Sequence, residues 1–194
     1  VTYKLDGCRE FDLHIPGRHN QLNAQGAFAA AHIAGITWDE AQTAMAGFQG
    51  LPHRLEIVHQ SHGVRCYNDS IATIPDAAVA ALDAFPAGKV IQIIGGKDKH
   101  LPIEAMCRAL LERAKAILCI GSTGAMLAGE LERMRQGDKP AVYHCGDLAV
   151  AVGLARKIAS EGDIVLLSPA YPSYDQFVNF EQRGAAFVKL ARGE

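Results

Sequence analysis

Three short polar segments, each directly after an apolar run, contain the side chains best suited to chemistry in this 194-residue sequence. The first is NDSIAT at residues 68–73, whose carboxyl and hydroxyl groups can accept and donate hydrogen bonds. The second is GGKDK at residues 95–99, in which two glycines allow a tight turn and two lysines suit a carboxylate or a phosphate. The third is SPAYPSYD at residues 168–175, which two prolines stiffen. Each segment is a candidate ligand contact.

Each segment also has an ordinary structural interpretation. Asp69, Ser70 or Thr73 could cap a helix that begins near Pro75, and the serine and aspartate of residues 168–175 could cap a following helix. The two lysines could lie in a solvated surface turn. The residue types alone leave both interpretations open.

Several kinds of site are disfavoured by motifs that the sequence lacks. It contains no GxxxxGK[ST] loop, so other residues would have to hold the phosphates of ATP. The segment GSTG at residues 121–124 lacks the GxGxxG spacing of a dinucleotide-binding loop, which also disfavours a nicotinamide-dependent oxidoreductase. The five cysteines show no CxxC spacing and the eight histidines no HExxH pairing, which favours reduced cytoplasmic thiols over a zinc site. We therefore expect no zinc centre.

The charge balance points to small-molecule ligands. A formal net charge of -2, from 19 basic and 21 acidic residues, provides no basic surface for nucleic acid or anionic membranes. No apolar run reaches the length of a membrane span. We expect a cytoplasmic protein that binds neither nucleic acid nor membrane.

The polar segments need a scaffold that brings their ends together, and the hydrophobic pattern beyond residue 50 predicts one. Apolar runs of strand length alternate there with helix-period segments, which is typical of an α/β fold with a doubly wound, mostly parallel sheet. In such sheets ligands bind beyond the carboxyl ends of the strands. The predicted strands cover residues 54–60, 64–67, 89–94, 116–120, 141–144, 164–167 and 187–190. The predicted helices between them cover residues 76–84, 102–114, 123–135 and 147–160.

The opening part of the chain has a different, helical pattern. Residues 20–34 predict one helix, and TWDE at residues 37–40 is a capping box that begins a second helix. The change of pattern predicts two domains, residues 1–49 and residues 50–194. Because the sequence begins within a strand-like run, VTYKL, we expect a longer amino-terminal part to precede it.

Four segments, taken in order, resemble the Mur ligase family, and within it the glutamate-adding ligases of peptidoglycan synthesis. The resemblance implies that residues 1–49 are the tail of a central ATPase domain and that residues 50–194 form the Rossmann-like, glutamate-binding carboxy-terminal domain. It implies a reaction in which ATP phosphorylates the carboxylate of UDP-N-acetylmuramoyl-L-alanine and the amine of glutamate attacks the acyl phosphate. The four segments are GRHNQLNA at residues 17–24, GLPHRLE at 50–56, NDSIAT at 68–73 and SPAYPSYDQFVNFEQRG at 168–184.

The resemblance also implies roles for individual residues. In the glutamate pocket, Lys99 would pair with the side-chain carboxylate, while Thr73 and Ser173 would donate hydrogen bonds to it. Asp69 would accept hydrogen bonds from the ribose of ATP. Asn20 and Asn23 would contact the adenine side of ATP, and their alternative role is helix capping. The residues implied for the glutamate site are Ile71, Thr73, Lys99, Ser173 and Phe180, and those for the ATP site are Asn20, Asn23, His53, Arg54 and Asp69.

No residue resembles a general base, so catalysis would rest on positioning and on Mg²⁺, whose ligands would lie mostly in other domains. We therefore expect no ligase turnover from this chain alone. A monomer is the expected state.

The chain departs from ordinary glutamate-adding ligases on the amino-acid side. Those ligases resemble it except that they have lysine at the position of Ile71, commonly asparagine at that of Ile74, and SPACAS in place of SPAYPS at residues 168–173. Some bacteria have a relative that adds L-glutamate, which a separate epimerase later inverts, and NDSIAT resembles that branch. We therefore expect L-glutamate in preference to D-glutamate. The alternatives are the ordinary D-glutamate reaction and a non-catalytic binding module.

Overall fold

The computed structural model describes residues 9–194, so the opening VTYKL run and Cys8 lie outside the described residues. The chain divides into two compact units, Val1–Gly50 and Leu51–Glu194. Within the described residues, no helix is long and apolar enough to cross a bilayer.

The first unit contains two helices, α1 (Arg18–Ile33) and α2 (Trp38–Ala46). The predicted capping box at the start of α2 is confirmed, because the Thr37 side chain accepts from the Glu40 N–H and the Glu40 carboxylate accepts from the Thr37 N–H. Phe11 stacks on Trp38 with 4.2 Å between ring centroids, and this pair forms the centre of a small apolar cluster.

The second unit is built on a six-stranded sheet whose order along the sheet is β1-β2-β6-β3-β4-β5. The first strand pairs antiparallel with the second, and every other pairing is parallel. The predicted α/β, mostly parallel fold is therefore confirmed. The strands are β1 (Glu56–Ser61), β2 (Val64–Asn68), β3 (Val90–Gly95), β4 (Ala114–Ile120), β5 (Ala141–Gly146) and β6 (Ile164–Leu167). The helices are α3 (Pro75–Leu82), α4 (Glu104–Arg113), α5 (Gly124–Met134), α6 (Leu148–Ile158) and α7 (Phe180–Arg192).

Helices cover both faces of this sheet. Alternate residues of β4 point to opposite faces, so Ile117 and Cys119 join one apolar cluster while Leu118 and Ile120 join the other. The first cluster includes buried residues of α3, α4 and α5, and the second includes those of α6 and α7. Both β3 and β6 are buried along their whole length, which explains why β6 is an unbroken apolar run and why β3 is apolar except for the buried Gln92 and the terminal Gly95.

The predicted strand at residues 187–190 is wrong, because these residues belong to α7. The buried residues of this helix are Arg183, Gly184, Phe187 and Ala191, which recur every three or four positions as one face of a helix does. Asn179 caps the helix by accepting from the Gln182 N–H at 2.8 Å. The segment FVKL at residues 187–190 has the pattern of a strand only when the helical periodicity of the flanking residues is ignored.

The strand order places the candidate segments at one edge of the sheet. Because β6 lies between β2 and β3 and runs parallel to both, the carboxyl ends of these three strands are neighbours. Residues 68–73, 95–99 and 168–175 follow those three ends. The topology therefore gathers the three polar segments of the sequence.

Candidate functional site

The segments that follow β3 and β6 are held together by their backbones. The Gly95 N–H donates to the Pro169 carbonyl and the Lys97 N–H donates to the Pro172 carbonyl, both at 2.8 Å. At Gly96, whose φ is 150°, a Cβ atom would lie 2.2 Å from the Pro172 carbonyl oxygen. The glycine is needed for this close approach, so the two segments are packed as one body.

The GSTG segment at residues 121–124 forms hydrogen bonds with both of these segments. The Thr123 hydroxyl lies 3.1 Å from both the backbone nitrogen and the carbonyl oxygen of Gly96. The Ser122 N–H donates to the Asp175 carboxylate at 2.7 Å. Asp175 therefore connects two loops and does not cap α7, since Asn179 performs that role.

A buried arginine of α7 joins this helix to the segment after β2 and to the segment after β6. Arg183 is 1% exposed; its guanidinium donates to the Ser70 hydroxyl at 3.0 Å, to the Ser70 carbonyl at 2.9 Å and to the Tyr171 carbonyl at 2.9 Å. The Ser70 hydroxyl in turn donates to the Phe180 carbonyl at 2.8 Å. The sequence suggested no role for Arg183 and only helix capping for Ser70, and α3 has no side-chain cap. One signal in the sequence could have indicated the role of Arg183. It is a cation at a position that the helical period of α7 places on the buried face.

Asp69 ties the end of β2 to the end of β6. It is 5% exposed; one carboxylate oxygen accepts from the Leu55 N–H at 3.2 Å and the other from the Ser168 hydroxyl at 2.7 Å. Burial raises the pKa of this carboxyl to about 6, and the two hydrogen bonds and the charge of Arg54 oppose that rise. The predicted contact with a ribose would have to use the remaining lone pairs, and it stays a prediction.

His53 and Arg54 begin the second unit in different environments. The His53 Nδ1 lies 2.9 Å from the Asn68 amide nitrogen, and its ring meets the Phe180 ring edge-on at 5.9 Å. A Cβ at Gly184 would lie 2.3 Å from that Nδ1, so the ring fills the space that this glycine of α7 leaves. Arg54 is exposed, as a side chain available to an anion must be. The structure thus gives His53 a packing role.

The proposed glutamate contacts lie beyond the three neighbouring strand ends. Thr73 follows β2, Ser173 follows β6 and Lys99 follows β3. Ser173 is 2% exposed, and its hydroxyl has no hydrogen-bond partner among the described residues. An unpaired buried hydroxyl costs free energy, which a carboxylate ligand accepting from it would recover. Ile71, two residues before Thr73, is half-buried, and its N–H donates to the His53 carbonyl at 3.2 Å.

The capping alternatives can be compared with the observed helix ends. Helix α3 begins after Ile74 without a side-chain cap, so neither Asp69 nor Thr73 performs that role. In the first unit, the Asn20 side chain is 4% exposed and donates to the Pro16 carbonyl at 2.7 Å, next to the start of α1. Asn23 is exposed on the same helix. The assignment of Asn20 and Asn23 to an ATP site stays a prediction.

The backbone N–H groups of the glycine-rich segment after β3 are already paired within the protein. The successive N–H groups of Gly95, Gly96 and Lys97 all donate to protein oxygens, so they are not free to bind a phosphate. No group of three or more His, Cys, Asp and Glu side chains that could hold a metal ion occurs within residues 9–194. The expectation that the Mg²⁺ ligands lie mostly in other domains stays a prediction.

Comparison with known proteins identifies relatives along nearly the whole chain. A family model described as "Mur ligase, glutamate ligase domain" matches residues 53–171. The UDP-N-acetylmuramoylalanine–D-glutamate ligase of Anaeromyxobacter dehalogenans is 41% identical over 186 residues, which are 93% of this chain and 39% of that protein. The ligase of the same name from Myxococcus xanthus is 44% identical over 176 residues, 91% of this chain and 37% of that protein. The chain thus spans about two fifths of the length of these relatives.

Solved structures share the fold at lower identity. The UDP-N-acetylmuramate-alanine ligase MurC of Thermotoga maritima aligns with a TM-score of 0.69 and 20% identity, over 96% of this chain and 40% of that one. A folylpolyglutamate synthase of Mycobacterium tuberculosis complexed with ADP aligns with a TM-score of 0.68 and 17% identity, over 93% of this chain and 42% of that one.

Proposed function

Because the chain belongs to the Mur ligase family, through its glutamate ligase domain, we propose that it is the carboxy-terminal part of an ATP-dependent ligase that adds glutamate to UDP-N-acetylmuramoyl-L-alanine. The observation that carries the proposal is the identity of about 40% along more than nine tenths of the chain with ligases named for that reaction. Residues 1–49 are proposed as the tail of the ATPase domain and residues 50–194 as the glutamate-binding domain. The proposal includes a cytoplasmic, monomeric protein whose partners are its small-molecule substrates.

In the proposed reaction, ATP activates the carboxylate of the UDP-linked substrate as an acyl phosphate, which the glutamate amine attacks. The contribution of this chain is to bind and orient glutamate. The buried Ser173 hydroxyl and the Thr73 hydroxyl donate to its carboxylate, and the exposed Lys99 ammonium neutralises it. Phe180 forms the wall at the start of α7, and Arg54 and Asp69 lie on the nucleotide side. Holding the amine in an attacking geometry is a large part of catalysis when no general base is present.

The enantiomer is the finer part of the proposal. The relatives reported above are named for D-glutamate, and their names do not support a preference for L-glutamate. L-Glutamate is favoured by Ile71, which puts an apolar side chain beside Thr73 where the resemblance implies a lysine. The substitution removes a cationic partner, so the carboxylates of the amino acid must be held by a different arrangement. We therefore propose L-glutamate as the preferred enantiomer, with D-glutamate as the second candidate.

The test is a kinetic comparison on the full-length protein. ADP release is measured with ATP, UDP-N-acetylmuramoyl-L-alanine and either L- or D-glutamate, with glutamate omitted as the control. A higher kcat/KM with L-glutamate supports the proposed preference. A higher kcat/KM with D-glutamate contradicts that preference and makes D-glutamate the substrate. The variant Ile71→Lys should shift the ratio of the two kcat/KM values towards D-glutamate by about 10-fold, the worth of one charge-assisted hydrogen bond. No glutamate-dependent ADP release with either enantiomer would favour a non-catalytic binding module.

A further inference from the structure

Arg183 is a buried cation without an adjacent carboxylate. No Asp or Glu among the described residues forms an ion pair with it, and Asp175 acts on it only at longer range. Burial lowers the pKa of its guanidinium to about 10, so Arg183 stays protonated at neutral pH. A buried charge that is not paired is costly to the folded state. Such a residue requires an explanation beyond the stability of the fold.

The hydrogen bonds of Arg183 all end on segments that surround the proposed glutamate pocket. Two of its N–H groups reach Ser70, through the hydroxyl and the carbonyl, and a third reaches the Tyr171 carbonyl. The Ser70 hydroxyl continues the network to the Phe180 carbonyl at 2.8 Å. One guanidinium therefore fixes the segment after β2, the segment after β6 and the first turn of α7.

The fixed groups stand close in sequence to the proposed contacts. Ser70 immediately precedes Ile71 and lies in the same short loop as Thr73, while Tyr171 precedes Ser173 by two residues. The remaining contact, Lys99, follows a segment whose Lys97 N–H is bound to the Pro172 carbonyl at 2.8 Å. Arg183 thus holds the loops that contain Thr73 and Ser173, and one backbone hydrogen bond joins the loop that contains Lys99 to the loop of Ser173.

We propose that Arg183 is a positioning residue for the amino-acid site: from behind the pocket it holds Ser70 and Tyr171 so that Thr73, Ser173 and Phe180 converge, and its unneutralised charge favours an anionic ligand there. This inference rests on the proposed function. Within the low-dielectric interior the charge acts over a longer range than it would in water. Glutamate binding should depend on Arg183, whereas ATP binding should not.

The experiment compares Arg183→Met and Arg183→Lys with wild type in the full-length protein, measuring KM for glutamate, KM for ATP, kcat and Tm. Methionine keeps the apolar length but removes the charge and all three hydrogen bonds. It should raise KM for glutamate by about 10-fold or more and change KM for ATP by less than about 2-fold. Lysine keeps the charge and can donate to the Ser70 carbonyl, so it should restore part of the loss.

Two further variants provide controls. Arg192→Met changes an exposed arginine at the other end of α7, and its KM for glutamate should equal that of wild type. Ser70→Ala removes the hydroxyl that links Arg183 to Phe180 but leaves the cation in place, so it should raise KM for glutamate less than Arg183→Met does.

An unchanged KM for glutamate in Arg183→Met overturns the inference. Equal increases in both KM values together with a lower Tm also overturn it, because they indicate a purely structural role. If Arg183→Met does not fold, Arg183→Lys and Ser70→Ala decide, and wild-type KM for glutamate in both overturns the inference. If wild type itself shows no glutamate-dependent turnover, the proposed function fails and the inference fails with it, an outcome distinct from a wild type that is active and indifferent to Arg183.

Discussion

Ser168 and Ser173 lie on one loop in opposite situations. The Ser168 hydroxyl donates to the buried Asp69 carboxylate at 2.7 Å, whereas the Ser173 hydroxyl is buried without a partner among the described residues. A hydroxyl that completes a buried network stabilises the fold, and one that is unpaired does not. These two residues of the same type on the same loop therefore allow a role in stability, at Ser168, to be tested against the proposed binding role of Ser173.

Replacing each serine by alanine should have opposite effects. Ser168→Ala should lower the free energy of unfolding of the chain by about 1–3 kcal/mol because it leaves one buried oxygen of the Asp69 carboxylate without a partner, while Ser173→Ala should leave it unchanged or raise it by up to about 1 kcal/mol. In the full-length ligase, Ser173→Ala should raise KM for glutamate by about 10-fold. Urea unfolding followed by circular dichroism measures the first effect, since the single tryptophan, Trp38, lies in the first unit. Equal destabilisation by the two variants contradicts a ligand-binding role for Ser173.

The Asp69 carboxyl should make stability depend on pH in a defined direction. Burial raises its pKa from 3.8 to about 6 in the folded chain, so the native state binds this proton more tightly than the unfolded state does. The stabilisation that this proton confers is present below about pH 4 and is lost as the pH rises through about 6. A rise in pKa of this size corresponds to about 3 kcal/mol in the free energy of unfolding.

Asp69→Asn removes that titration. The free energy of unfolding of wild type minus that of the variant should fall by about 2–3 kcal/mol between about pH 4 and about pH 7. Urea titrations across this range provide the measurement. The variant Asp138→Asn, at an exposed position, serves as the control and should follow wild type at every pH. A constant difference between wild type and Asp69→Asn would show that the ionisation of Asp69 does not affect stability.

The sequence was enough to select these residues as candidates for a site, but it did not reveal most of their hydrogen-bond partners. Asp69 and Ser168 are separated by 99 positions, and Arg183 and Ser70 by 113. Local pattern identifies polar residues after apolar strands, yet it does not reveal which two loops share a hydrogen bond. Ser70, which the pattern could only suggest as a helix cap, instead connects Arg183 to Phe180.

The sequence predicts strand β6 more clearly than it predicts helix α7. The apolar run of β6 predicted residues 164–167, and the strand is Ile164–Leu167 because both of its faces are buried. Helix α7 was missed because its inward face contains Arg183 and Gly184, two residue types that hydrophobic periodicity does not count. Its polar inward residues are the ones that meet Ser70 and His53. The incorrect strand prediction therefore concerns a helix that contributes to the proposed site.

The contact between the loops after β3 and β6 depends on the absence of a side chain at Gly96. Gly96→Ala would bring a Cβ to 2.2 Å from the Pro172 carbonyl oxygen, at a φ of 150° that favours glycine. The variant should lower the free energy of unfolding by about 2 kcal/mol or more. Gly129→Ala is the matched control, because it lies in α5 with no atom within 4 Å of its Cβ and should raise stability by about 0.5–1 kcal/mol. Urea unfolding of both variants is the measurement, and a Gly96→Ala variant as stable as wild type contradicts the described packing.

The chain by itself should have no ligase turnover. Its described residues assemble no metal-ion cluster, and the N–H groups of Gly95, Gly96 and Lys97 are occupied by protein oxygens. It also spans only 39% of the A. dehalogenans ligase. We expect no ADP release when the isolated chain is mixed with ATP, glutamate and UDP-N-acetylmuramoyl-L-alanine, and only weak nucleotide binding. The full-length protein is the positive control, and turnover or micromolar ATP affinity of the isolated chain in calorimetry contradicts the expectation.

The place of β6 in the sheet also fixes the order in which the second unit can be completed during synthesis. Among its strands β6 leaves the ribosome last, yet it lies between β2 and β3. Until residues 164–167 emerge, the β1–β2 hairpin and the β3–β4–β5 strands cannot join into one sheet, and the edges of β2 and β3 that β6 later covers are unpaired. One of those edges is β3, which is buried along its whole length in the finished fold. A nascent chain that pauses before β6 would therefore expose an aggregation-prone apolar edge, and the pocket would form only as that edge is covered.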